Sequence, residues 1–409
     1  MLDINYIREN IDFVKKGISA KGYSEEVVDK VLEVDQKRRE LINEVDLLRQ
    51  KRNEAASKKD IEAGKNVKEQ LQQKEPQLKE FEDQFKSYLL QIPNLPSSES
   101  PEGKGESDNK VLREVGIKTD LTFTPKDHLQ LGETLDIIDF ETASKVSGSG
   151  FYYLKNEGAM LEIALVHYAL DFLIKKGYSP VITPDLAREE YYLGTGYLPK
   201  GPEAQIYQIN DSDLGLIATA EITLAGYHAD SILENLPKKY AGYSHCFRLE
   251  AGAYGKYSKG LYRVHQFTKV EMFAFTKPDD SDKTHQEFLK NEEEFFQSLE
   301  IPFRVVEMCK GDLGAQAVRK FDLEAWMPGR GEWGEITSTS NTTDFQSRNL
   351  NIKFKNGEET GFIHTINGTL CATSRAIIAI LENFQQQDGS VKIPQVLQKY
   401  TGFSEIRKK

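Results

Sequence analysis

At 409 residues the chain is too long for one ordinary core, so two domains are expected. Its 39% hydrophobic fraction suits a folded protein, and a formal charge of -11 argues against a chain coated with nucleic acid, leaving that work to local basic patches. No run of about 18 apolar residues occurs, and the start MLDINYIREN is charged where a signal peptide would be apolar; a soluble, cytoplasmic protein is expected.

The first pattern is helical. Val27, Val31, Val34, Leu41, Val45, Leu48 and Ala55 follow a 4,3 spacing, and Val67, Leu71, Leu78, Phe81, Phe85, Tyr88 and Ile92 repeat it. Two such runs in succession predict two long helices folded back as an antiparallel coiled coil, turning near Asp60 to Asn66, where Gly64 can end a helix. A helix of some thirty residues projects about 45 Å. Pro76 falls inside the second run and should kink or restart it. The turn region is basic: Arg49, Lys51, Arg52, Lys58, Lys59, Lys65 and Lys68 stand against Glu54, Asp60 and Glu62. Such a run is either a solvated surface or a probe for a nucleic-acid backbone, and its place at the end of a projecting arm favours the probe.

From Pro93 to Lys110 the composition PNLPSSESPEGKGESDNK reads as a linker. Beyond it the patterns mix: a helix over Gly158–Lys176, extended segments at Val181–Ile182, Leu214–Ala220, Phe303–Met308 and Glu335–Thr339, and a small β candidate, Asn351–Lys355, turning at Asn356-Gly357. A last helix is expected to start after Gly368 and run to about Gln386. Irregular alternation of this kind predicts an α+β domain with a largely antiparallel sheet.

Several chemistries lack their motifs. There is no GxxxxGK[ST], strand-GxGxxG-helix, HExxH or GxSxG. Cys246, Cys309 and Cys371 have neither pairing nor ligand spacing and read as buried core thiols; the seven histidines recur at no spacing that suggests a metal.

The segment FRLEAGAYGKYSKGLYRVHQFTKVEM, Phe247 to Met272, carries more chemistry. It reads as a hairpin with Arg248 at its base, a Gly- and Lys-rich tip from Ala251 to Arg263, and a second strand from His265 to Phe275. The period of two puts Phe267, Lys269 and Glu271 on one face. An arginine, a ring and a carboxylate suit a zwitterionic amino acid beside a nucleotide phosphate, although a half-buried hairpin with a charged rim fits the same residues.

Three segments together resemble the class II aminoacyl-tRNA synthetases. GYSPVITPDL, ending at Leu186, resembles their motif 1, the hairpin their motif 2, and INGTLCATSRAIIAILENFQ, from Ile366 to Gln385, their motif 3 with Arg375 as its arginine. TAE at Thr219–Glu221, GTGYLPK from Gly194 and EITSTSN from Glu335 are similar to strings of the seryl-tRNA synthetases within that class, and the resemblance spans the whole chain. It implies a tRNA-binding coiled-coil arm over residues 1–105 and a class II antiparallel-sheet catalytic domain over 106–409.

It also implies roles. Arg248 and Arg375 would be the catalytic residues, holding the α- and γ-phosphates of ATP, with Phe267 stacked on adenine and Leu249, Glu250, Ile336 and Thr337 completing the nucleotide site. Glu335 and Ser338 would hold Mg²⁺. Thr219, Ala220, Glu221, Arg248, Glu271 and Thr369 would bind L-serine. The implied partners are ATP, serine and tRNA-Ser, held by its long variable arm and its acceptor end near Lys256 and Lys259; tRNA-Sec would join them where it occurs. Motif 1 implies a homodimer, for which Leu161, Leu165 and Phe172 offer a helical face or simply core. The string GTLCATSR departs from the glycine-richer form of many bacterial members, leaving open how Thr369 and Thr373 divide their contacts. An amino-acid ligase serving a carrier protein would lack the arm, and a non-catalytic descendant could lose Arg248, Glu271, Glu335 or Arg375; all are present.

Overall fold

Two helices, Glu26–Ser57 and Ile61–Leu90, lie antiparallel and bury the heptad positions Val45, Leu48, Val67, Leu71 and Leu78 between them. The computed structural model describes residues 1–197, 206–250 and 260–408, and the chain divides into units Met1–Pro96 and Ser97–Lys409. At the base of the hairpin the short helices Ile4–Glu9 and Ile11–Ala20 add Ile7, Val14 and Ile18 to a cluster with Val28, Val31, Leu89 and Ile92. Arg49 crosses to Glu75 at 3.0 Å, and Lys74 pairs with Glu44.

The turn differs from expectation. Gly64 lies inside the second helix; the chain reverses earlier, at Lys59 with φ 56°, and Asp60 caps the next helix by accepting from the Ala63 N–H at 3.0 Å. Pro76 does not break the helix either. It denies one amide to the carbonyl a turn earlier, at Gln72, but both residues are exposed and water can serve that carbonyl.

The second unit is built on an eight-stranded sheet: β1 (Lys110–Val115), β2 (Ser179–Ile182), β3 (Lys238–Phe247), β4 (Gln266–Thr276), β5 (Phe303–Glu307), β6 (Arg319–Met327), β7 (Glu332–Thr343) and β8 (His364–Ala372). Their spatial order is β1-β5-β6-β7-β8-β4-β3-β2. All neighbours are antiparallel except the β2–β3 pair. Helices Asn156–Lys175, Ser281–Ser298 and Thr373–Asn383 share one core with this sheet, where Leu165, Phe295 and Ile377 join Val270, Met272, Val305 and Leu323. Alternation along β4 sends Val270, Met272 and Ala274 into that core and leaves Phe267, Lys269 and Glu271 on the opposite face.

Several boundaries move. The linker stretch is tied down from Ser97 onward: Ser97 N–H donates to the Val318 carbonyl, and Lys310 and Gly311 donate to Pro101 and Gly103. Ala220 opens the short helix Ala220–Gly226 and is not part of the extended run from Leu214. The last helix begins at Thr373, because residues 364–372 form β8 first; Thr369 is therefore a strand residue. Leu161 and Leu165 are fully buried in the unit's own core, with Phe172 packed against it, so they offer no free face. The exposed apolar residues of that helix are Met160, Ile163 and Ile174, and Ile182 on β2 is 79% exposed. The three cysteines are buried and free.

Candidate active site

The hairpin β3–β4 fixes its own base. Gln266 pairs with Phe247 and Phe267 with Cys246. The Arg248 N–H donates to the His265 carbonyl at 3.0 Å, and His265 Nδ1 donates back to the Arg248 carbonyl at 2.9 Å. The Arg248 guanidinium then lies 5.2 Å from the centre of the Phe267 ring, with its Nε directed at the Ala218 carbonyl. Glu250, at φ 49°, accepts from Arg263 Nε at 2.5 Å, a clasp between the two ends of the tip. Leu249 is half-buried. Lys256 and Lys259 lie outside the described residues, as does the end of the GTGYLPK string.

Two β-bulges decide what faces this site. Between β4 and β8 the register shifts so that Val270 opposes Cys371 but Glu271 opposes Thr369. Leu370 is the extra residue, and its side chain joins the core. Thr369 Oγ1 consequently reaches Glu271 Oε2 at 3.3 Å. Thr373, in contrast, donates to the Thr268 carbonyl at 3.1 Å, so the two threonines divide into one on the site face and one spent on β4.

The second bulge is on β7. Thr337 opposes Leu323 and Glu335 opposes Glu324, with Ile336 extra and buried. Residues three apart would otherwise point to opposite sides of a strand. The bulge puts Glu335 and Ser338 on one face, Ser338 directly opposite Asp322. Thr337 faces the other way and donates to Glu292 Oε2 at 2.9 Å on the helical layer, so Ile336 and Thr337 present no side chain to the Glu335 face. Arg375 comes from the helix after β8: its Nη1 is 2.8 Å from Glu335 Oε1 and 3.2 Å from the Glu335 carbonyl.

Beside the arginines lies a buried polar set. Lys269 Nζ donates to Thr219 Oγ1 at 2.8 Å and forms an ion pair with Glu271, both side chains almost wholly enclosed. Thr219 caps the helix Ala220–Gly226 and so fixes Ala220 and Glu221 behind it. Glu221 accepts from Gln346 Nε2 at 2.6 Å, Asn367 Nδ2 at 2.9 Å, Tyr197 Oη at 3.0 Å and Gln316 Nε2 at 3.3 Å.

The electrostatics follow from this packing. Burial, and then the neighbouring Glu271 charge, push the Glu221 carboxyl up to about 7. Burial raises Asp322 to about 7 as well, against the pull of Lys320 at 3.4 Å. For Glu335 burial also pushes upward, but Arg375 and then Lys320 outweigh it and hold the carboxyl below its ordinary value. Glu335 therefore stays ionised at neutral pH, beside carboxyls that do not all do so.

The structure thus brings together Arg248 with Phe267, Arg375 with Glu335, and Thr219, Glu271 and Thr369 around Lys269. Sequence reasoning gave no role to Lys269, Asn367, Gln346, Gln316, Tyr197 or Asp322. Two of these had a usable signal, Lys269 on the Phe267–Glu271 face and Asn367 two residues before Thr369; Gln346, on the five-residue helix Phe345–Asn349, had none.

Known proteins resemble this chain over its full length. Residues 1–96 match the family model of the seryl-tRNA synthetase N-terminal domain, and residues 205–384 match that of the class II tRNA synthetase core domain for G, H, P, S and T. The serine–tRNA ligase of Dictyoglomus turgidum is 51% identical, with 100% of both chains covered, and that of Rubrobacter xylanophilus is 50% identical over 98% of each. Among solved structures, seryl-tRNA synthetase from Pyrococcus horikoshii complexed with ATP is 42% identical with a TM-score of 0.91, covering 100% of both chains. The cytoplasmic serine–tRNA ligase from Naegleria fowleri in complex with AMP is 35% identical with a TM-score of 0.87, covering 100% of this chain and 99% of that one. With a helical hairpin ahead of its antiparallel sheet and the matches above, this chain belongs to the seryl-tRNA synthetase family of class II aminoacyl-tRNA synthetases.

Proposed function

We propose that the chain activates L-serine with ATP and transfers the seryl group to tRNA-Ser, and to tRNA-Sec where that tRNA occurs. A serine carboxylate oxygen attacks the α-phosphorus and pyrophosphate leaves, giving seryl-adenylate. A terminal ribose hydroxyl of the tRNA, the 3′-OH by family analogy, then attacks the seryl carbonyl and AMP leaves. The carboxylate is already ionised at neutral pH, so the first step needs no general base; positioning and charge stabilisation carry it.

The observation that carries this reading is the enclosed set Thr219, Lys269, Glu271 and Thr369, set beside Arg248. Glu271 and Thr369 offer an acceptor and a hydroxyl to a small polar amino acid, and Glu221 and Ala220 define the wall behind them. Alanine would offer these groups no hydroxyl, and a site built to bind one rejects the analogue that lacks it by about 10⁴ to 10⁵-fold. Arg248 and Arg375 hold the α- and γ-phosphates, Phe267 carries the adenine, and Leu249, Glu250, Ile336 and Thr337 border the nucleotide, the last two through their backbone.

Glu335 and Ser338 fit Mg²⁺. Both are hard oxygen donors on one face of β7, and the buried Asp322 Oδ1 opposite Ser338 has no hydrogen-bond partner among the described residues. When bound, the ion neutralises triphosphate charge. The arm, residues 1–105 in the proposed division, takes the long variable arm of the tRNA, while Lys256 and Lys259 take its acceptor end. Two copies pair through Met160, Ile163, Ile174 and Ile182, whose exposed apolar surface asks for a cover. The protein works in the cytoplasm; among the described residues no helix is long and apolar enough to cross a membrane.

Serine dependence of ATP–pyrophosphate exchange tests the assignment. Glu271→Ala is expected to raise the serine KM about 100-fold while the protein stays folded, through loss of a buried charged partner. In the wild type, kcat/KM for serine should fall as pH drops through about 7, where Glu221 gains its proton and the site loses a negative charge that favours the ammonium group. Glu221→Gln should remove that limb. An unchanged serine KM in the Glu271 variant refutes the reading.

A further inference from the structure

The helix Thr373–Asn383 carries two ionisable side chains seven residues apart, Arg375 and Glu382, which two helical turns place on the same face. Arg375 stands at Glu335; Glu382 is fully buried and makes a junction. Its Oε1 accepts from the His128 backbone N–H at 3.1 Å and lies 3.3 Å from His128 Nδ1, while its Oε2 accepts from the Gly329 N–H at 2.9 Å.

His128 is 4% exposed and passes this anchoring on. Its Nε2 accepts from the backbone N–H of Leu261 at 3.2 Å. An imidazole that accepts at Nε2 carries its proton on Nδ1, which is the nitrogen facing Glu382, so the two bonds specify one tautomer. Leu261 sits where the chain returns from the hairpin tip, and the fit there is close: Gly260 has φ +67°, and a Cβ on it would overlap His128 Nε2. Only glycine lets the backbone run this near the ring.

The next residue, Tyr262, closes the circuit. Its ring centre is 4.9 Å from the Arg375 guanidinium and 4.4 Å from that of Arg330, which follows Gly329 in the β6–β7 turn. Glu382 therefore holds the chain that presents Arg330 directly, and through His128 it holds the chain that presents Tyr262; Arg330 meets the Tyr262 ring, and that ring meets Arg375, two turns back on Glu382's own helix.

We propose that His128 is a positioning residue for ATP: by accepting from Leu261 it fixes the Tyr262 ring against Arg375 and so sets the guanidinium that grips the triphosphate. The proposal rests on the reading of Arg375 as a triphosphate ligand. It concerns the return limb of the hairpin and leaves the serine set around Lys269 untouched.

Two amides separate the halves of the imidazole. In His128→Gln the side-chain carbonyl can stand where Nε2 stood and accept from Leu261; in His128→Asn the shorter amide can serve Glu382 but does not reach Leu261. With the full chain in ATP–pyrophosphate exchange, His128→Asn is expected to raise the ATP KM about 10-fold, and His128→Gln no more than about 3-fold, the scale of one buried hydrogen bond. The serine KM should move less than about 2-fold in both, and Tyr262→Leu, which leaves His128 in place, should reproduce the split. Equal impairment of the two amide variants, serine and ATP KM rising together, or a wild-type ATP KM in His128→Asn overturns the proposal. Arg375→Ala in the same titration separates the levels: if it raises the ATP KM and His128→Asn does not, the positioning role alone fails, and if it leaves the ATP KM unchanged, the reading of Arg375 fails and takes the proposal with it.

Discussion

Replacing Arg248 by alanine is expected to lower ATP–pyrophosphate exchange by about 10³-fold, at the upper end of what one preorganised donor contributes to a charged transition state. The backbone around Arg248 is fixed twice to His265, and its guanidinium rests over Phe267, so the side chain is ordered before any substrate arrives. That order is what should make the loss large: in the proposed role, a fork that needs no rearrangement spends its full charge on the α-phosphate when the pentacoordinate state forms. Arg248→Lys keeps the charge but not the planar fork or its fit on the ring, so it should recover only a small part of the rate. A variant that exchanges pyrophosphate at the wild-type rate would remove Arg248 from the chemistry.

Deleting residues 30–90 is expected to spare exchange and to abolish aminoacylation of tRNA. The two activities should separate because the residues proposed to meet ATP and serine all lie in the unit Ser97–Lys409, whereas the hairpin Glu26–Leu90 lies in the other. Of the basic residues near the turn, Arg49 is committed to Glu75, while among the described residues no ion pair involves Lys51, Arg52, Lys58, Lys59, Lys65 or Lys68, and all six are exposed. Cations without local partners can release counterions from a phosphate backbone. Since the deletion also removes Val31 and Leu89 from the cluster at the base, the finer variant converts those six residues to glutamine. It should raise the tRNA KM by about 100-fold and flatten the salt dependence of charging, leaving the exchange reaction unaltered. Equal charging by either variant would dissociate the arm from tRNA.

The arm was legible because heptads encode packing directly: each predicted position from Val31 to Ile92 is buried or partly buried. Its details were not. Gly64 looked like a helix end, but the reversal is made by Lys59 in a left-handed conformation, and Pro76 stays helical because its cost falls on a solvated carbonyl. In the second unit the period of two found the face carrying Phe267, Lys269 and Glu271. It could not find the bulges at Leu370 and Ile336, since a one-residue slip leaves no mark in composition, yet those slips bring Thr369 to Glu271 and Glu335 to the side of Ser338. The placement of the last helix failed for a related reason: HTINGTLCA is rich in β-branched residues, and the strand it forms runs past Gly368 to Ala372. Leu161 and Leu165 have the spacing of a helix face, but spacing alone does not say whether the other side of the contact is the same chain. Two partners of Glu221, Gln346 and Asn367, lie more than a hundred residues further along the chain, and only the fold could bring them to it.

In the proposed reaction the enclosed set around Lys269 and Glu271 selects serine for activation by ATP. ATP–pyrophosphate exchange measured with each of the twenty amino acids tests it most directly. Serine alone should support rapid exchange, with alanine and threonine at background; exchange driven by another amino acid, or by none, would contradict this selection.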